Sequence, residues 1–155
     1  MLEHCQSKEE QWQGVQKLIN RWLAERQELV VIYCSLSGMQ NFSVNNKTFL
    51  NKLRLFCEVL VDYASAGHFE IYEQLLNEAQ AFKDGSEALL DKLYPQIAAT
   101  TSTFIAFNDT YDTDEHCSKA IGQLKGALST LGEDMATRYA LEDQLIDSLH
   151  FAHAC

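Results

Sequence analysis

Positive charge is what this chain has least of. Twelve lysines and arginines stand against 22 aspartates and glutamates, a formal net charge of −10 with histidine neutral. Phosphate backbones need a basic face, so direct nucleic-acid binding is not expected. The same imbalance suits a partner that is itself basic, and it serves equally to keep a protein in solution. Long apolar runs are missing too: no stretch of about 18 apolar residues occurs, so no membrane span is expected. Met1-Leu2-Glu3-His4 lack the basic start and apolar core of a secretion signal, and the expected compartment is the cytoplasm. Paired cysteines are absent. Cys5, Cys34, Cys57, Cys117 and Cys155 are scattered, odd in number and never spaced C-x-x-C. That is the pattern of reduced thiols rather than a disulfide framework. Cys34 and Cys57 fall inside apolar runs and read as small core residues.

Catalytic signatures are missing as well. No G-x-S-x-G turn presents a serine and no glycine loop cradles phosphate, so no enzyme activity is expected. A di-iron bundle would need paired Glu-x-x-His motifs, and Asp147 to His150 approaches that spacing only once. His150-x-x-His153 with Cys155 has metal-ligand spacing, but a solvated chain end accounts for it. Neither metal nor cofactor is expected.

What the chain does have is helical rhythm. A length of 155 residues reads as a single domain, 1–155. Ser7-Lys8-Glu9-Glu10 reads as a capping box. After it, Trp12, Val15, Ile19, Trp22, Leu29, Tyr33 and Leu36 share one stripe, with Arg26 in the missing place. Residues 29–33 are apolar all round, so that part of the first helix needs cover on two sides. Gly38 suits a left-handed cap, and 39–47 is an asparagine-rich loop. A second helix is expected over about 48–65, and a shorter third over about 68–82 after a turn or kink at Gly67. Ser86 is a good N-cap for a fourth helix. Pro95 should kink or break that helix, and Thr100-Thr101-Ser102-Thr103 is a poor helix former. Asp112-Thr113-Asp114 ends it and caps a last helix, expected to be the longest, over about 115–152. No strand, repeat or low-complexity linker is evident. The fold class is therefore all-α: an antiparallel up-down four-helix bundle with an additional short helix.

Some charged residues fall where the stripes want apolar ones. Arg26, Asp62, Arg138 and Glu142 lie on or beside core faces, and a buried charge survives only when paired and hydrogen-bonded. They suggest an internal polar pocket of Asp62, Ser65, His68, Tyr72, Glu73, Arg138 and Glu142. Removing Asp62 would then strand an arginine, at about 3–5 kcal/mol. A helical phase off by one residue would instead leave these charges in water.

Leu60-Val61-Asp62-Tyr63, Ser65-Ala66-Gly67-His68-Phe69 and Ile71-Tyr72-Glu73 resemble the central motif of the regulator-of-sigma-D (Rsd/AlgQ) family of bacterial anti-sigma factors. Arg21-Trp22-Leu23, Tyr94-Pro95-Gln96, Arg138, Leu141-Glu142-Asp143 and Leu145-Ile146 fit too, so the resemblance spans nearly the whole chain. Asn20 departs from it, standing where an aspartate is expected. The resemblance implies binding to region 4 of the primary, housekeeping sigma factor. That module's helix-turn-helix reads the −35 element and is basic because it grips phosphates. Covering it, and holding it from core polymerase, would lower housekeeping transcription when growth slows. Arg21, Trp22 and Arg26 are the expected contacts, aromatic and arginine anchors being typical of interfaces. The alternative is a small-ligand sensor or phosphotransfer-like module using the polar pocket. Phosphotransfer would want Lys and Gly three and four places after His68, where Ile71 and Tyr72 stand.

Overall fold

The computed structural model describes residues 2–40 and 42–153, with side chains described from Lys8 onward. Six α-helices follow one another: α1 (Leu2–Ser37), α2 (Lys47–Ala66), α3 (Tyr72–Phe82), α4 (Glu87–Tyr111), α5 (Asp114–Ala120) and α6 (Leu124–Leu149). A π turn, Gly67–Ile71, joins α2 to α3, and short 3₁₀ turns lie at Ile121–Gln123 and Phe151–His153. No strand occurs among the described residues. No helix described is long and apolar enough to cross a membrane.

The stripes read from the sequence become the core. Val15, Ile19, Trp22, Leu29 and Leu36 of α1 are buried, as are Phe49, Leu53, Phe56, Leu60 and Tyr63 of α2. In α6 the buried row runs Leu124, Leu128, Leu131, Met135, Arg138, Glu142, Leu145, Leu149. Cross-helix pairs give the directions. Trp22 meets Tyr63 and Tyr33 meets Phe56, so α2 returns along α1. Phe56 meets Phe107 and His68 meets Tyr94, so α4 returns along α2. Trp12 meets His150 while Tyr33 donates to the Leu128 carbonyl at 2.7 Å, so α6 runs against α1. The four long helices are thus an up-down antiparallel bundle, with α3 and α5 as extra pieces.

Several boundaries differ from expectation, each for a physical reason. α1 begins at Leu2, ahead of Ser7, so Ser7 does not start it; the side chains of Cys5 and Ser7, and all of Cys155, lie outside the described residues. Gly38 has no positive φ, and its N–H simply closes a turn on the Cys34 carbonyl at 3.0 Å. Asn46 caps α2, its side-chain oxygen accepting from Phe49 N–H at 3.2 Å. Ser86 is no side-chain cap: its backbone is helical and its hydroxyl has no partner, while Asp84 accepts its N–H. Thr113 does cap α5, accepting from His116 N–H at 3.1 Å.

Pro95 does not break α4. It and Asp91, whose carbonyl loses its helical donor, both lie on the exposed face, where water can serve that oxygen. The Thr100–Thr103 turn stays helical, its hydroxyls donating back to the carbonyls of Ile97, Ala98 and Ala99. The last helix is split instead. Ala120 leaves helical geometry (φ −122°, ψ 12°) ahead of Gly122, so α1, at 36 residues, is the longest helix. Cys57 and Cys117 are buried, whereas Cys34 is exposed.

Candidate functional site

The stretch 60–73 was expected to turn at Gly67, but the backbone stays right-handed through Ala66, Gly67, Ile71 and Tyr72. The π turn explains why both Tyr63 and Tyr72 reach the core. Nine residues apart, they would point about 180° away from each other on a regular helix. A π turn takes up one extra residue, which brings them to within about 80° of each other, so that both can face the core. Gly67 is there for space: a Cβ would sit 2.8 Å from the Trp22 ring and 3.2 Å from the Tyr72 hydroxyl. Trp22 is 2% exposed. It stacks on Tyr63 at 4.9 Å and donates to the Tyr63 carbonyl at 3.2 Å.

Around this packing lies a buried ionic network. Glu142 accepts from Tyr63 Oη at 2.5 Å, from Tyr72 Oη, from Arg138 Nε at 3.1 Å and from Arg26 Nη2 at 3.4 Å. Arg138 is fully buried. Its other N–H groups reach Thr101 Oγ1 at 2.6 Å, Thr100 Oγ1 at 3.3 Å, Tyr72 Oη at 3.1 Å and the Ala64 carbonyl at 3.5 Å. All five guanidinium donors thus have acceptors. Arg26 spans core and surface: Nε donates to Tyr63 Oη at 2.9 Å, and Nη1 reaches the exposed Asp143 at 2.5 Å. Burial pushes the Glu142 carboxyl above its usual range, while Arg138, both tyrosine hydroxyls and Arg26 pull it back. Burial also drives the Tyr63 and Tyr72 hydroxyls well up, so they stay protonated donors. Two arginines face two carboxylates, and the network is formally neutral.

The other half of the motif points outward. Asp62, Ser65, Phe69, Glu70 and Glu73 are exposed. Beside them on α1 lie Arg21 and Glu28, exposed, and Glu25, half-buried. The Glu25 carboxyl is pushed up, first by burial and then by the negative field of Asp62, Glu28 and Glu70. Further along the α1–α2 seam, Val31 is 61% exposed and Leu55 45%, lining an open apolar groove of about 440 Å³. The all-apolar run of α1 therefore has one face in the core and one face uncovered.

Comparison with known proteins matches residues 1–150 to a family model described as regulator of RNA polymerase sigma(70) subunit, Rsd/AlgQ. Proteins named regulator of sigma D are among its relatives. The one from Yersinia enterocolitica is 37% identical over 148 residues, covering 94% of this chain and 88% of the relative. The Yersinia pestis protein is 36% identical over 151 residues, covering 94% and 87%. The Enterobacter sp. protein is 36% identical over 156 residues, covering 94% and 88%. The chain belongs to the Rsd/AlgQ family.

In this Rsd/AlgQ chain the residues singled out from sequence separate into two groups. Tyr72, Arg138 and Glu142 come together in the core, joined by Arg26. Asp62, Ser65 and Glu73 do not join them; exposed on the outer face, they belong to no internal pocket. His68 is half-buried and apart from the network, with the Tyr94 hydroxyl 3.1 Å from its ring nitrogens. Nor is the network a ligand pocket, since Glu142 and Arg138 are sealed and satisfied by protein groups. Of the expected contacts, Arg21 is exposed on the surface, whereas Trp22 is packed inside and Arg26 is held by Tyr63, Glu142 and Asp143.

Sequence reading missed Tyr63, Thr100 and Thr101. Tyr63 was visible as a hydroxyl in an apolar stripe, which must find a partner. The threonines were read only for helix propensity. His150 and His153 are not solvated as expected but buried, and they face carboxylates: Glu78 lies 2.8 Å from His150 Nδ1 and Asp84 2.7 Å from His153 Nε2. Among the described residues no group of three or more His, Cys, Asp or Glu side chains is placed to hold a metal ion.

Proposed function

We propose that this chain regulates transcription by binding region 4 of the primary sigma factor, covering its −35-reading surface and its contact with core polymerase. The work is done by occlusion in the cytoplasm, with no bond made or broken. One observation carries the reading: the outward half of the family motif forms an acidic cluster, Asp62 and Glu70 with Glu25 and Glu28, that no basic side chain among the described residues neutralises through a salt bridge. A helix-turn-helix that binds phosphates is basic, so it complements this cluster and is screened from DNA by it. The uncovered apolar seam at Val31 and Leu55 supplies area beside the charge.

The contacts follow from exposure. Arg21 and Asp62 touch the partner; Trp22 and Arg26 act from behind, fixing where α1 sits against α2 and α6. Titration calorimetry with isolated region 4 tests this. Asp62→Lys weakens binding at least about tenfold at low salt, with an unchanged melting temperature. Wild-type affinity falls as salt rises from about 50 to about 300 mM. An Asp62→Lys protein that binds as tightly as wild type overturns the reading.

A further inference from the structure

We propose that a second groove, on the other flank of α2, is an anchor pocket that receives one bulky apolar side chain of the same basic partner. The inference rests on the partner reading above. The groove lies between α2, the π turn and α4, has a volume of about 240 Å³, and is lined by Val61, Ser65, His68, Phe69, Phe104 and Ile105. Two of its walls are the most conspicuous unsatisfied apolar groups on this side of the bundle: Phe69 is 69% exposed and Ile105 49%. Exposed apolar surface that gathers around a cavity marks a contact site more than scattered residues do. The volume is below the roughly 300–1,000 Å³ of small-molecule sites, and suits a single large side chain.

The floor is rigid. Arg138 lies beneath it, bonded to Thr101 Oγ1 at 2.6 Å and the Ala64 carbonyl at 3.5 Å, its guanidinium 5.2 Å from the Phe104 ring. Ala64 and Thr101 also line the groove, so the buried network holds its shape before any partner arrives. His68 stands edge-on to Phe69 at 4.9 Å and is held by Tyr94. The π turn sets Phe69 outward while Tyr72 stays in.

The occupant is identified by charge and position. Exposed acids adjoin the lining residues along the chain: Asp62 follows Val61, Glu70 follows Phe69, and Asp109 lies one helical turn beyond Ile105. No lysine or arginine lines the groove. Asp62, the neighbour of the lining Val61, also belongs to the cluster with Glu25, so a basic module seated on that cluster already reaches the crest of α2. An apolar residue on its surface, flanked by its cations, then drops into the groove, as buried anchors do at the centre of protein interfaces.

Two exposed positions test this without touching the network. Ile105→Glu puts a charge on the wall, and Ser65→Trp fills the groove with an indole. Each weakens binding of isolated region 4 at least about tenfold by calorimetry, with far-ultraviolet dichroism and melting temperature unchanged. If both variants bind like wild type while Asp62→Lys is impaired, the anchor pocket is wrong and the partner reading stands. If Asp62→Lys is also unimpaired, both fall.

Discussion

A guanidinium in the core depends on every acceptor around it, and Arg138 has five. Glu142 is the acceptor shared by both arginines and both tyrosines. Removing its carboxylate leaves Arg138 charged and buried, so Glu142→Ala should cost about 3–5 kcal/mol in urea unfolding. Asp62→Ala, on the exposed face, should stay within about 0.5 kcal/mol. The contrast reverses what sequence alone suggested for Asp62. Both residues are charges beside an apolar stripe, and only the rotation of the helix decides which is buried. At Asp62 the expected phase was wrong by one position, the spacing at which a side chain crosses from core to water. Arg138 and Glu142 were legible because they are four residues apart in an otherwise unbroken apolar row.

At the scale of elements, the stripes located the four long helices well, because burial of one face is what makes a helix of this length stable. The joints were harder. A glycine between two apolar runs reads as a break, yet Gly67 lies in a continuous right-handed path and serves close packing. Gly67→Ala should therefore be unfavourable despite alanine's better helix propensity. With its Cβ 2.8 Å from Trp22, the indole must shift off Tyr63, at a cost of about 1–3 kcal/mol. Near-ultraviolet dichroism should report the moved tryptophan, and an unperturbed spectrum with wild-type stability would refute the packing account. The split at Ala120–Gln123 also escaped sequence reading, since Cys117, Ile121 and Leu124 keep helical spacing across it.

For the whole molecule, net negative charge hides a few locally cationic spots. The last turn is pinned to the body by His153, whose Nδ1 faces the Leu149 carbonyl at 2.9 Å and Nε2 the Asp84 carboxylate at 2.7 Å. Both neighbours accept, so the ring bonds both only when doubly protonated. Burial alone would lower its pKa; Asp84, the Leu149 carbonyl and the field of Glu78 outweigh that and raise it. A raised folded-state value contributes stability that is full below about pH 6.5 and is lost as pH climbs through the folded value. Asp84, held well below the carboxylate range by its bonds to Ser86 and His153, adds stability that is lost only as pH falls through its folded value. The melting-temperature gap between wild type and His153→Asn should therefore narrow from about pH 6 to about pH 9. A gap that widens over that range would refute the assignment.

The π turn also sets a rule for chain length. Losing one residue between 67 and 71 would restore a regular helix and leave Tyr63 and Tyr72 in phase, whereas gaining one would rotate everything after it by about 100°. With that extra residue the face presented beyond the corner would change, and Tyr72 would leave Glu142. The 39–46 connection carries no such phase, so insertions are tolerated there and not at the corner.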